Sequence, residues 1–269
     1  MKFFHIYLFI LIFIIFLFPY KNLSNYKKYD FIKDKNYIFI GNSILQNNKY
    51  VPFGTSIELF FPHNNYECFT NNNYIFIGDS ILQNNKYVPF GTSVEQRIVN
   101  KNNKNVYFIA EDDSKIVNVY KQLDKLSYEL NNDNTFVFLS VGGNDILSYY
   151  IQQSKLNKNT HNNIDDNKVL QNIFASYQEL IKSIQTKLPN TKIFLLDIYY
   201  PTTIKYKKYK NIIEKWNNKI YKFANNYNNN IYGLIKISKH LTNDEDFTYD
   251  IEPSSIGSKK IVDLILSNI

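Results

Sequence analysis

The sequence predicts an α/β domain with a parallel sheet, and three observations carry that prediction. From residue 73 onward, short apolar runs alternate with longer segments of helical character. In the longest such segment Ile173, Tyr177, Leu180, Ile181 and Ile184 recur at helical spacing, and Pro189-Asn190 closes it. Two of the apolar runs end in Gly-containing turns, Gly78-Asp79-Ser80 and Gly142-Gly143-Asn144-Asp145, as strands do before a sharp change of direction.

The elements follow in order. Residues 74–77 form the first strand and 94–99 a short helix. Residues 106–110 form the second strand, followed by a helix near 114–130. The third strand, 136–141, ends at Gly142, and a polar insertion occupies roughly 153–167 before the long helix to Leu188. The fourth strand is 192–198, followed by a helix near 206–226. The fifth strand lies around 232–237, and the last helix begins after Pro253. Alternating strands and helices imply a sheet covered on both faces, and right-handed crossovers make it a flavodoxin-like three-layer sandwich with five parallel strands. In such sheets reactive groups collect beyond the carboxyl ends of the strands. Ser80, Asp113 and Asn144 all fall just past a strand of this plan.

The chain has 269 residues, 44% of them hydrophobic, which suits one globular domain with additions rather than a disordered chain. The net charge of +7 comes from lysines scattered among asparagines and tyrosines, without a zinc-finger or helix-turn-helix signature. A solvated basic surface is therefore expected, not a nucleic-acid partner. Cys68 stands alone, so no intrachain disulfide can form, and no two of the four histidines have metal-ligand spacing.

Ahead of this domain, residues 3–19 are apolar apart from His5, about the shortest stretch that spans a bilayer as a helix. Residues 1–20 are expected to be an uncleaved signal-anchor or a signal peptide. The protein is then held in a membrane through residues 3–19, or secreted if they are removed. Lys21, Lys27 and Lys28 place the following domain on the cytoplasmic side by the positive-inside rule, export predicts the reverse, and orientation stays open. Residues 36–58 and 73–95 are near-copies that differ at two of 23 positions, Asn42 against Asp79 and Ile57 against Val94. The second copy directly precedes the rest of the α/β pattern and keeps Asp79. It is expected to form the first strand, with 21–72 a linker carrying the spare copy.

Singly, Ser80 reads as a helix cap and Asn144 as a turn residue. Together they say more. Gly-Asp-Ser after the first strand and Gly-Gly-Asn-Asp after the third, with Ile251-Glu252-Pro253-Ser254 and Gly257 before the last helix, resemble the SGNH (GDSL) hydrolase superfamily over residues 73–269. The resemblance implies an ester hydrolase that needs no cofactor and no metal. Ser80 would be its nucleophile. The Ser80 N–H, a backbone N–H near Asp113 and the Asn144 amide would hold the oxyanion, while Asp79 and Asp145 would brace the loops.

The resemblance departs from its pattern twice. The second block usually carries a glycine, where this chain has Glu111-Asp112-Asp113. The last block usually has histidine before the proline, with aspartate three residues earlier. Here Glu252 and Tyr249 stand at those positions. Glu-Pro-Ser resembles a variant in which Glu252 takes the proton with Asp246 beside it. A carboxylate is a weak base at neutral pH unless burial or a second carboxylate, Asp246 or Asp250, raises its pKa. His240 is the nearest histidine to that block and the alternative base. The implied substrate is a carboxylic ester, acyl or acetyl, on a lipid, glycan or small molecule. The competing expectation is a binding protein that keeps the crevice without turnover.

Overall fold

A computed structural model describes residues 72–101, 105–156 and 165–269. The expected anchor at 3–19 and the first repeat copy at 36–58 lie outside them. Among the described residues no helix is long and apolar enough to cross a membrane.

Five strands, β1 (Asn73–Gly78), β2 (Val106–Phe108), β3 (Thr135–Ser140), β4 (Lys192–Leu196) and β5 (Gly233–Ile235), form one parallel sheet in the order β2-β1-β3-β4-β5. Side chains of the central strands are buried on both faces, as a parallel sheet sandwiched between helices demands. Register places Phe108, Phe76, Phe138 and Phe194 side by side on four successive strands, with ring centroids 5.0, 4.9 and 5.1 Å apart. The row ends on β5 at Gly233, where the Phe194 ring occupies the space a β-carbon would need.

The helices are α1 (Val94–Lys101), α2 (Ile116–Asp124), α3 (Gly143–Leu156), α4 (Asp166–Lys187), the single turn α5 (Ile204–Lys207), α6 (Lys210–Ala224) and α7 (Ser255–Leu266). α1 packs on α7, while α2, α4 and α6 pack in succession with α3 against α4, one group on each face of the sheet. The second repeat copy forms β1, the turn after it and the start of α1. Two elements differ from expectation. α3 starts at once after Gly142, ahead of the expected polar insertion. A small antiparallel hairpin, β6 (Phe247–Thr248) and β7 (Glu252–Pro253), precedes α7.

Candidate active site

The strand order reverses at β1, with β2 on one side and β3 on the other, so the loops leaving β1 and β3 part to opposite faces and leave a crevice. Ser80 follows β1 and Asn144 opens α3 after β3. A cleft partly open to solvent is lined there by Ser80, Asn144 and Glu252 together with Tyr199, Ile198 and Ile251.

Each loop is held by identifiable bonds. Gly78 has a φ of +140°, and a β-carbon there would lie 1.8 Å from the Ser140 carbonyl oxygen, so β1 can end against β3 only as glycine. Asp79 is buried, and its Oδ1 accepts from the Ile81 N–H (3.2 Å) and the Ser140 hydroxyl (3.3 Å). Burial, with Glu252 and Asp145 adding repulsion, pushes its carboxyl up to about 8. The Ser80 N–H donates to no acceptor among the described residues. Gly142 is also left-handed, with a φ of +117°, and Trp216 fills the space beside it. The Asn144 amide donates one hydrogen to the Ser114 carbonyl at 3.1 Å, which leaves its second hydrogen for the cleft. Asp145 accepts from the Ile116 N–H at 3.1 Å, which caps α2, and burial raises its carboxyl.

Glu252 sits on β7, 8% exposed, and lines the cleft with Ser80. Its pKa is raised to about 7, chiefly by burial; Asp112 and Asp113 also push it up, while Ser80 and Lys86 pull it down. Its Oε2 has no hydrogen-bond partner among the described residues. Asp113 adopts a left-handed φ of 59°, a conformation that costs glycine least, and its N–H is likewise without an acceptor among them. It does not line the cleft. Asp112 forms an ion pair with Lys86 and accepts from the Tyr87 hydroxyl at 3.1 Å.

Asp246 is not where the variant reading puts it. Its carboxylate is fully buried, accepts from the Thr242 and Asn243 N–H groups (2.9 and 3.0 Å), and pairs with Lys260 at 2.6 Å. Desolvation works against the charge, but Lys260 and the two amides outweigh it and hold the pKa below the usual range. Asp246 therefore fastens the last loop to α7, and it is not among the main causes of the shift at Glu252. Asp250 is exposed and paired with Lys205 at 3.0 Å. His240 is exposed and does not line the cleft. Among the described residues no group of His, Cys, Asp and Glu is arranged to hold a metal.

Four further side chains build the site. Gln122 takes the Gly78 N–H and donates to the Gly78 carbonyl, both at 2.8 Å, and reaches the Ser114 hydroxyl at 3.0 Å. Asn84 accepts from Val94 N–H (3.0 Å) and donates to the Pro253 carbonyl (2.8 Å) and the Ser258 hydroxyl (2.7 Å), tying the Ser80 turn to the Glu252 strand. The Tyr199 hydroxyl donates to the Ile251 carbonyl at 2.6 Å. Ser254 caps α7 through the Ile256 and Gly257 N–H groups (3.1 and 3.2 Å). Gln122 shows in sequence as an amide on the apolar face of α2, between Val119 and Leu123. Asn84 gives no such signal.

No protein-family model matches the sequence, and no curated protein matches it. Solved structures do. A lipolytic protein of the G-D-S-L family from Veillonella parvula superposes with a TM-score of 0.53 at 17% identity, over 72% of this chain and 96% of that one. Phospholipase A1 from Streptomyces albidoflavus gives 0.53 at 14% identity, over 74% and 99%. An extracellular lipase from Streptomyces rimosus gives 0.52 at 13%, over 74% and 100%. The fold is that of the G-D-S-L lipolytic proteins. In this G-D-S-L fold Ser80, Asn144 and Glu252 share one cleft, while Asp246 lies apart in the support of the last loop.

Proposed function

We propose that the protein hydrolyses carboxylic esters through a Ser80 acyl-enzyme, with Glu252 as the proton acceptor. The observation that carries this reading is that Ser80, Asn144 and a buried carboxylate, Glu252, whose pKa is raised to about 7, line one cleft. A general base works best when its pKa lies near the operating pH, and this one does.

Ser80 Oγ attacks the carbonyl carbon as its proton passes to Glu252. The carbonyl oxygen becomes an oxyanion, held by the Ser80 N–H and the Asn144 amide. Donors of this kind each lower the barrier by about 2.7–4 kcal/mol. Collapse of the tetrahedral intermediate breaks the bond to the alcohol, which leaves with the proton from Glu252. Water then attacks the acyl-enzyme, gives its proton to Glu252, and the carboxylic acid departs as Ser80 recovers its hydrogen. The residues beside Ser80 in the cleft, Ile81, Ile146, Leu147, Ile198 and Ile251, are apolar and favour an acyl chain over a sugar hydroxyl surface.

A fluorophosphonate probe tests the reading. It should label the protein covalently at Ser80, and Ser80→Ala should remove the label. Absence of labelling from pH 5 to 9 would leave the fold as a binding protein without turnover.

A further inference from the structure

One segment beside the cleft is left unexplained by ester hydrolysis alone. Between β4 and α6 the chain runs Pro201-Thr-Thr-Ile204-Lys205-Tyr206-Lys207-Lys208-Tyr209-Lys210. Its side chains sort by direction. Pro201, Tyr206 and Tyr209 line the cleft. Ile204 and all four lysines face solvent, and Ile204 is 94% exposed. A single large aliphatic side chain held almost wholly in water, ringed by cations, is unusual for a surface that meets only solvent.

The charges are also largely unspent. Lys205 pairs with Asp250 at 3.0 Å. Lys207, Lys208 and Lys210 enter no ion pair among the described residues. Lys208 and Lys210 lie over the rings of Tyr209 and Tyr200, 5.0 and 5.8 Å from their centroids, which leaves their ammonium charge uncompensated. The nearest acidic neighbour along the chain, Glu214, lies on the next turn of α6 and takes none of them.

We propose that residues 204–210 dock on an anionic phospholipid bilayer, with Ile204 entering the acyl layer and the lysines lying among the headgroups. An apolar tip within a basic collar is the composition of an interfacial anchor. Because Tyr206 and Tyr209 form the other side of the same turn, docking sets the cleft mouth against lipid and gives an ester-bearing chain a short path to Ser80. This purpose rests on the ester-hydrolase reading, whereas the docking itself rests only on the segment's surface. A nucleic-acid partner fits worse. The tyrosines that would stack on bases are turned into the cleft, and an exposed isoleucine has no role on a phosphate backbone.

The test places an environment-sensitive dye on the tip. Full-length protein carrying Cys68→Ser and Ile204→Cys is labelled with NBD and titrated with vesicles of phosphatidylcholine alone or with 30% phosphatidylserine. A blue shift on the phosphatidylserine vesicles only, reversed by 0.5 M NaCl, is expected. Lys207→Gln, Lys208→Gln and Lys210→Gln together should move the midpoint by roughly a hundredfold, about fivefold per lysine. No shift, an equal shift on both vesicles, or a shift produced by heparin or polyuridylate but not by vesicles would each overturn the proposal. The dye reads contact without turnover, so this result and the Ser80 labelling result can fail separately.

Discussion

Glu252 must be an anion when it takes the Ser80 proton and a neutral acid when it returns that proton to the alcohol. A carboxyl near its ordinary pKa does the first badly and the second only fleetingly. Burial, helped by Asp112 and Asp113, brings Glu252 to about 7, where both forms are populated at neutral pH. The ionised form is the active one in the free enzyme. kcat/KM for p-nitrophenyl acetate should therefore rise tenfold per pH unit below about 7 and level off above it. Glu252→Gln should lower kcat/KM by roughly 10²–10⁴ and abolish that acid limb. An unchanged limb in Glu252→Gln would assign the ionisation to another group and remove Glu252 from the chemistry.

At the scale of elements, the site depends on how the turn after β1 meets β7. Asn84 makes that joint with three hydrogen bonds from a fully buried amide. Asn84→Ala should cost about 1–3 kcal/mol of stability for the buried groups it strands. It should also lower kcat more than it raises KM, since the cleft walls stay while Glu252 loses its register with Ser80. Wild-type kcat in a destabilised Asn84→Ala, followed by urea unfolding and ester hydrolysis, would make Asn84 a stability residue only. The strands of this fold were legible because buried parallel strands read as apolar runs; Ser80 and Asn144 follow two of them, while Glu252 stood out only through the Glu-Pro-Ser block before the last helix. α3 was not, because Gly142-Gly143-Asn144-Asp145 reads as a turn; in the structure Gly142 alone turns and Asn144 already lies in the helix. The β6–β7 hairpin, with two residues in each strand, is too short to carry a period. Asp246 was misread for a physical reason. Its partners, Lys260 on α7 and the amides of Thr242 and Asn243, meet only when the loop closes, and spacing from Glu252 cannot show that.

For the molecule as a whole, the buried carboxyls at the crevice set how stability responds to pH. Asp79, raised to about 8, and Glu252, raised to about 7, bind protons more tightly folded than unfolded. Their contribution to stability is therefore complete below the unfolded carboxylate pKa of about 4 and is lost as pH climbs through 7 and 8. Asp246 acts oppositely, supporting the fold at neutral pH and losing that support in acid. Asp79→Asn keeps the turn's acceptor without the titration. Its melting temperature should fall less between pH 5.5 and 8.5 than that of wild type, and parallel curves for the two proteins would show that Asp79 is ionised in the native state. The same trapped hydrogen ions make the native molecule more cationic at neutral pH than the +7 counted from its sequence. Denaturing it in a weakly buffered solution at pH 7 would release them and acidify the medium, a calorimetric or indicator-dye signal that marks the closing of the crevice around Asp79.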